Sequence, residues 1–344
     1  MKSFSDRRLR GAVPTIRDVA RWAGVSPSTV SRILTGITPV SAAKQTKVRR
    51  AIRSLRFHPN VFARGLRQRR SYTLGLLIPD ITNPYFAEAA KGVEDAAHRA
   101  GLAVLLCDSE NDPAREARYL HLLRDRRVDG LLYVTAGDGA GLRRSWRGLP
   151  LVLMDREIPG INADSVTTDN ELGAYLITRL LLERGHRRVA FLAGPRRLAP
   201  ARLRLRGYRR ALRGAGVPPD SRLIRSGAFT VAGGRAAMES LLRAAPHPTA
   251  VVASNDVMAL GAVEAIEKAG LRVPAHISVV GFDDIPVAAL TRPPLTTVAQ
   301  PVRRMGEVAV ELLLAQLQGK RNGQQRVVLE PLVVARASTG SPRP

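Results

Sequence analysis

The chain of 344 residues is 45% hydrophobic and carries 54 Lys and Arg against 29 Asp and Glu, a formal net charge of +25. Its length suits two or three domains, and its apolar fraction suits real cores. A single cysteine, Cys107, rules out an internal disulfide and fits a reducing compartment. Residues 1–15 lack the apolar core of a secretory signal, and no apolar run reaches the ~18–20 residues that span a bilayer, so a soluble, cytoplasmic protein is expected.

The charge is concentrated at one end. Residues 1–71 hold 17 Lys and Arg and two acids, Asp6 and Asp18, while the other 273 residues hold 37 basic and 27 acidic residues. A segment almost free of acid suits the neutralisation of phosphates. A general arginine bias, visible again at 196–213, accounts for part of the remaining excess.

After a polar, basic tail at 1–14, the stretch from Thr15 to Leu34 predicts two short helices joined by a tight turn. Thr15 is placed to cap the first, with Asp18 three residues on, as in a capping box. Ile16, Val19, Ala20 and Ala23 recur at helical spacing. Gly24 supplies the positive φ that ends a helix. Ser26 offers a second cap and Pro27 fits the first helical position, and Val30 and Ile33 are spaced to pack back on the first helix. This is the pattern of a helix-turn-helix, although two short amphipathic helices around a glycine also occur in ordinary helical domains. Ser41 is placed to cap a third helix running to about Leu55, ended by Phe57-His58-Pro59-Asn60. The following segment, 61–70, has only Phe62, Ala63 and Leu66 as an apolar face, and Gly65 costs a helix there roughly 1 kcal/mol. So short a helix needs a partner to form: another copy of itself, DNA, or both.

From Tyr72 the rhythm changes to strands alternating with helices of 10–16 residues. Strands are expected at 74–78, 103–107, 130–134, 149–154, 189–193, 250–253 and 278–282. Helices are expected at 85–100, 114–126, 171–184, 203–215, 238–244 and 256–269. This alternation implies parallel sheets with helices on both faces, in two similarly built lobes. Ligands in such folds sit outside the C-terminal strand ends, here in the cleft between lobes.

The order of Thr15-Ile-Arg-Asp-Val-Ala20, Val25-Ser-Pro-Ser-Thr-Val-Ser-Arg32 and Pro59-Asn60…Ala63-Arg64…Leu66 resembles the LacI/GalR family of bacterial transcriptional regulators. So do the later Asn83-Pro-Tyr-Phe86, Arg127-Val-Asp-Gly130, Arg204-Leu-Arg-Gly-Tyr208, Ser254-Asn-Asp256, Gly281-Phe-Asp-Asp284 and Arg336-Ala-Ser-Thr-Gly340. The resemblance covers about residues 15–340. It implies a small all-α helix-turn-helix domain followed by an α/β, periplasmic-binding-protein-like core of two doubly wound parallel-sheet lobes. The implied domains are a headpiece at 1–57, a hinge helix and linker at 58–71, and an effector-binding and dimerisation domain at 72–340. Lobe 1 would take about 72–168 and 300–328, and lobe 2 about 169–299 and 329–340.

The resemblance further implies a homodimer, most plainly a repressor, that reads a near-palindromic operator in double-stranded DNA and responds to a small, sugar-like or other polyhydroxylated effector. Pro27, Ser28 and Arg32 would face base edges. Arg32 suits a bidentate pair with guanine, worth about 1–3 kcal/mol of discrimination, or else a phosphate contact. Thr15, Thr29 and Ser31 would contact phosphates, and Asn60, Ala63, Arg64 and Leu66 would form the hinge, with Leu66 wedged between base steps. The effector positions carried over are Tyr85, Phe86, Thr135, Asp155, Asp169, Arg204, Phe229, Asn255 and Asp283. Leu198, Ala199 and Pro200 would make one flank of the pocket less polar, and Asp284 would act as a cap beside Asp283. The sign of the response, induction or corepression, stays open, and the absence of a heptad tail before Pro344 favours a dimer over a tetramer.

An enzyme is disfavoured. There is no G-x-S-x-G elbow and no P-loop, and Gly137-Asp-Gly-Ala-Gly141 does not fit the dinucleotide fingerprint. The six histidines lack metal-ligand spacing, so no metal or cofactor is expected. A periplasmic solute-binding protein would share the core but not residues 15–70, and a nucleic-acid-packaging protein would explain the charge but not the cleft.

Overall fold

The computed structural model describes residues 14–35, 39–57, 70–146, 148–320 and 323–342. The chain divides into two compact units, at Ser71 and Tyr72. The hinge positions Asn60, Ala63, Arg64 and Leu66 lie outside the described residues.

The first unit is three helices: α1 (Ile16–Ala23), α2 (Pro27–Thr35) and α3 (Ala42–Ser54). The Asp18 carboxylate accepts both the Thr15 N–H (2.9 Å) and the Thr15 hydroxyl (2.6 Å) at the start of α1. Gly24 adopts φ 64°, the left-handed region, and so turns the chain out of α1 without the steric cost of a Cβ. Ser26 accepts the Thr29 N–H (3.2 Å) and caps α2. Val19, Ala20, Ala23, Val30, Val48, Ala51 and Phe57 form one small buried core. The small side chains Ala20 and Ala23 are what let α1 and α2 approach closely enough to share it.

The second unit holds two parallel sheets. The strands of the first are β1 (Thr73–Ile78), β2 (Ala103–Asp108), β3 (Gly130–Tyr133), β4 (Leu151–Met154), β5 (Asp164–Thr168) and β11 (Arg326–Leu329), in the order β2-β1-β3-β4-β5-β11. The second sheet has the order β7-β6-β8-β9, from β6 (Val189–Ala193), β7 (Ile224–Ser226), β8 (Ala250–Ala253) and β9 (Ser278–Val280). A two-stranded antiparallel ribbon of β10 (Thr297–Ala299) and β12 (Leu332–Val334) completes the strands. The helices are α4 (Pro84–Arg99), α5 (Pro113–Asp125), α6 (Ala140–Ser145), α7 (Asn170–Glu183), α8 (Ala199–Gly214), α9 (Val231–Leu242), α10 (Asp256–Lys268) and α11 (Val302–Leu317).

The central strands read as continuous apolar runs because both their faces are covered. Leu74, Leu76, Leu77 and Ile78 of β1 are fully buried. The chain passes from the first sheet to the second after β5, returns through β10 to α11 and β11, and leaves again for β12. Two of the expected helices start earlier than their apolar spacing suggests, because capping and backbone packing outweigh it. Helix α9 starts at Val231 rather than near Met238, since Thr230 accepts the Gly233 N–H (3.0 Å) and Gly234 packs against the Met258 backbone. Helix α8 starts at Ala199, with Pro200 in its first turn. Cys107 is buried, which pushes its thiol up to about 11 and away from the thiolate form. No helix among the described residues is long and apolar enough to cross a membrane.

Candidate DNA-reading helix and ligand cleft

In the first unit, Pro27, Ser28 and Arg32 all lie on the exposed side of α2, with Thr29 and Ser31 half-buried. Three of the expected contact residues already use their hydroxyls internally. Ser26 bridges to Ser28 (2.8 Å) and to Thr29 (2.9 Å). Thr15 gives its hydroxyl hydrogen to Asp18, so a phosphate would have to take that hydrogen from a carboxylate. These bonds hold the Asp18 carboxyl below its ordinary range.

In the second unit, seven of the nine expected effector residues line one cavity at the ends of the strands of both sheets: Tyr85, Phe86, Asp155, Arg204, Phe229, Asn255 and Asp283. Tyr85 and Phe86 sit in the first turn of α4. Asn83 accepts the Tyr85 N–H (3.1 Å), and the two rings meet edge to face at 5.1 Å. Asp155 follows β4 and adopts φ 61°, while Asp283 follows β9 and adopts φ 119°. Both are non-glycine residues in positive-φ conformations that cost of order 1–3 kcal/mol, and such strain persists where surroundings over-determine it. Here the Asp155 N–H is held by Val166 O (2.9 Å) and the Asp283 N–H by Val298 O (2.8 Å).

Asp169 and Thr135 are placed elsewhere. The Asp169 carboxylate accepts the Leu172 N–H (2.9 Å) and caps α7, so it is a helix cap and does not line the cavity. Thr135 lies in an adjoining chamber, its hydroxyl 3.4 Å from the buried Glu116 carboxylate. Asp284 is no cap: its carboxylate pairs with Arg336 (2.7 Å). Asn255 caps α10 through the Met258 N–H (2.9 Å) while also facing the cavity.

The cavity is polar and nearly shut, with a volume of about 30 Å³. The Tyr85 hydroxyl donates to Asp155 (2.8 Å), and Arg156 Nε donates to the other Asp155 oxygen (3.1 Å) while its Cζ sits 5.6 Å from the Phe86 ring centre. Arg204 donates to Asn170 Oδ1 (2.7 Å) and to the Ser254 carbonyl (2.5 Å), lies 3.4 Å from Asp283, and stacks on Phe282 at 3.8 Å. Gln300 donates to Asp283 (2.7 Å). Burial pushes the Asp283 carboxyl up to about 7, against the lowering effect of Arg204 and the Gln300 hydrogen bond. Burial, with Asp155 and Asp283 nearby, lifts the Tyr85 hydroxyl well above its ordinary value, and burial lowers Arg156. A hydroxyl-rich molecule could replace each of these internal bonds with one of its own, while Phe86 and Phe229 offer apolar faces to a sugar ring. Among the described residues no three His, Cys, Asp or Glu side chains converge on a point suited to a metal.

Arg156, Gln300 and Asn170 were missed in the sequence. Arg156 had a usable signal: it directly follows an aspartate at a strand end, and a buried charge needs a neighbour of opposite sign. Gln300 and Asn170 reach the site only through the chain's crossings between sheets, which no local pattern reveals.

Residues 15–60 match the model of the bacterial regulatory proteins of the lacI family, and residues 178–339 match a periplasmic binding protein-like domain. The ribose operon repressor of Escherichia coli K12 is 39% identical over 328 residues, covering 94% of this chain and 99% of its own length. The crystallised Lac repressor dimer bound to operator and an anti-inducer superposes with a TM-score of 0.87 at 31% identity, covering 96% of this chain and all of that one. A LacI family regulator from Enterococcus faecium with bound ribose gives a TM-score of 0.72 at 30% identity, covering 79% of this chain and all of that one. With relatives this similar over nearly its whole length, the chain belongs to the lacI family of bacterial transcriptional regulators.

Proposed function

We propose that this regulator is a repressor that binds a near-palindromic operator as a homodimer and changes its DNA affinity when a small sugar enters the cleft. Residues 1–57 would act as the reading headpiece, 58–71 as the hinge and 72–340 as the sensing and dimerising domain. The observation that carries the sensing half is the cavity in which Arg204 and Asp283, following the second sheet, meet Tyr85, Asp155 and Arg156 from the first. Their bonds are made to one another, at hydroxyl-binding distances, around the Phe86 and Phe229 rings. Because about 30 Å³ is too small for a sugar, entry must part the two sheet layers. Such a movement, felt at the start of the second unit, would bias the hinge. Coupling of this kind is typically worth about 1–3 kcal/mol and acts in both directions.

On the DNA side, Arg32 is the strong reader, able to hold guanine bidentately, and Pro27 offers only apolar contact. Ser28 is a weaker reader, because its hydroxyl is shared with Ser26. The test is to select binding sites from random duplex DNA and then titrate a labelled selected site with the full-length protein, with and without a panel of pentoses and hexoses. An enriched site with two-fold symmetry, and a roughly 5–150-fold change in affinity with one sugar, are expected. A site without symmetry would sink the dimeric reading, and indifference to every sugar would sink the sensing reading.

A further inference from the structure

Eight arginines lie between Arg196 and Arg213, yet only Arg204 of these lines the sugar cavity. Two others face the space beside it. A chamber of about 210 Å³ adjoins the cavity, with Arg156 as their shared wall, and is lined by Arg143, Arg197 and Arg202. It borders in turn, through Arg202 and Glu157, an opening of about 620 Å³ to which Arg206 and Arg326 contribute. Across both spaces six arginines face two carboxylates, Asp138 and Glu157.

Three of the six are neutralised internally, Arg156 by Asp155, Arg206 by Glu171 and Arg326 by Glu157, and the other three are not. Arg143 donates to the Pro159 carbonyl (2.5 Å), and Arg202 donates to the carbonyls of Arg196 (3.1 Å) and Arg197 (2.9 Å). Among the described residues, none of Arg143, Arg197 and Arg202 pairs with a carboxylate. Glu157 is already engaged by the Ser165 hydroxyl (3.1 Å) and by Arg326 (3.7 Å). Helix α8 also begins at this wall with Leu198, which has no side-chain oxygen to cap it, so its positive end adds to the same field. A concave surface of one sign concentrates counter-ions, and the planar guanidinium fork matches the oxygens of a phosphate.

We propose that this arginine chamber takes the phosphate group of a phosphorylated sugar whose ring occupies the neighbouring cavity, so that the effector is a sugar phosphate. The proposal rests on the sugar-binding reading of the cleft and adds the charge of the ligand to it. The shared Arg156 wall puts the two spaces within the length of one small ester, which favours the effector's own phosphate over a separate ion.

The test is calorimetric titration of the full-length protein, in phosphate-free buffer, with D-ribose against D-ribose 5-phosphate and D-glucose against D-glucose 6-phosphate. At least one ester should bind tenfold or more tightly than its parent sugar, and inorganic phosphate should compete with that ester but not with the parent sugar. The double variant Arg197→Ser/Arg202→Ser changes two exposed side chains, so it should fold. It should weaken the ester about tenfold, or ~1.4 kcal/mol, and leave the parent sugar within twofold. The proposal is overturned if esters bind no tighter than parent sugars, if the double variant weakens both alike, or if phosphate and ester bind together. Parent sugars that bind without any gain from the ester refute this proposal alone. Silence from all four compounds refutes it together with the sugar-binding reading.

Discussion

Replacing Arg204 with methionine tests how the cleft holds its charges. Methionine fills much of the volume and keeps the contact with Phe282, but removes the hydrogen bonds to Asn170 and the Ser254 carbonyl and the pairing with Asp283. Hydrogen bonds from a charged group are worth about 1.5–3 kcal/mol each, and stranding a buried partner costs about 3–5 kcal/mol. Asp283 limits that second cost because it can take up a proton: its carboxyl stands at about 7 even with Arg204 beside it, and loses its largest lowering influence when Arg204 goes. At pH 6 the carboxyl is therefore mostly neutral in both proteins, and the loss should be about 3–6 kcal/mol from the two hydrogen bonds. At pH 8 the wild-type carboxylate is ionised and paired, whereas in Arg204→Met it stays protonated, which adds about 1.4 kcal/mol for the one pH unit above its midpoint. Urea unfolding of both proteins at pH 6 and pH 8 measures this directly. The stability gap should be wider at pH 8; a gap that is equal, or wider at pH 6, would show that Asp283 is ionised throughout and refute the reasoning.

Because Asp283 has a raised pKa in the folded protein, the native state binds more protons than the unfolded chain between about pH 4 and 7, so its contribution to stability falls as pH rises through that window. Asp283→Asn should lose that slope, as thermal melts at pH 5 and 8 would reveal. Arg32→Ala should cost about 1–3 kcal/mol at a guanine-bearing operator and relax the base preference at one position per half-site; a loss uniform over all sequences in a competition binding assay would make it a phosphate contact instead. Ser26→Ala removes the cap of α2 and should cost the headpiece about 1 kcal/mol in a thermal melt. Leu66→Ala should weaken operator binding in a gel-shift titration while leaving sugar binding unchanged.

The sequence showed the elements better than it showed their partnerships. Helices α1 and α2 were legible almost to the residue, because Thr15, Gly24, Ser26 and Pro27 are local signals whose physics acts within one turn of chain. Strands β1, β3, β6 and β8 were legible because burial on both faces leaves unbroken apolar runs. The short strands β7, β10, β11 and β12 were not. Each is only three or four residues long, and runs as short as Val327–Leu329 or Leu332–Val334 do not by themselves distinguish a strand from a loop. Asp169 shows the same limit within the site. Its family position next to the sheet crossing suggested a ligand, but an aspartate just before a helix is equally suited to cap it; Asp169 holds the Leu172 N–H at 2.9 Å and, unlike the capping Asn255, does not line the cavity.

That distinction between a residue and its partner bears on the reading helix too. Ser28, Thr29 and Thr15 look like ready donors in the sequence, yet each hydroxyl is tied within the headpiece, to Ser26 or to Asp18. A donor that must break an internal bond to reach DNA gains only the difference between two hydrogen bonds, which is small. These bonds fix the first turn of α1 and the first turn of α2, so that their ordering cost is met in folding rather than in binding. In the proposed reading, discrimination between base sequences would fall mainly on Arg32, whose charged fork suits two bonds to one guanine. The same logic governs the cleft, where Arg204 and Asp283 are already joined. A neutral sugar gains only the difference between its bonds and theirs, whereas an anionic group entering beside Arg197 and Arg202 meets charges that no carboxylate has claimed.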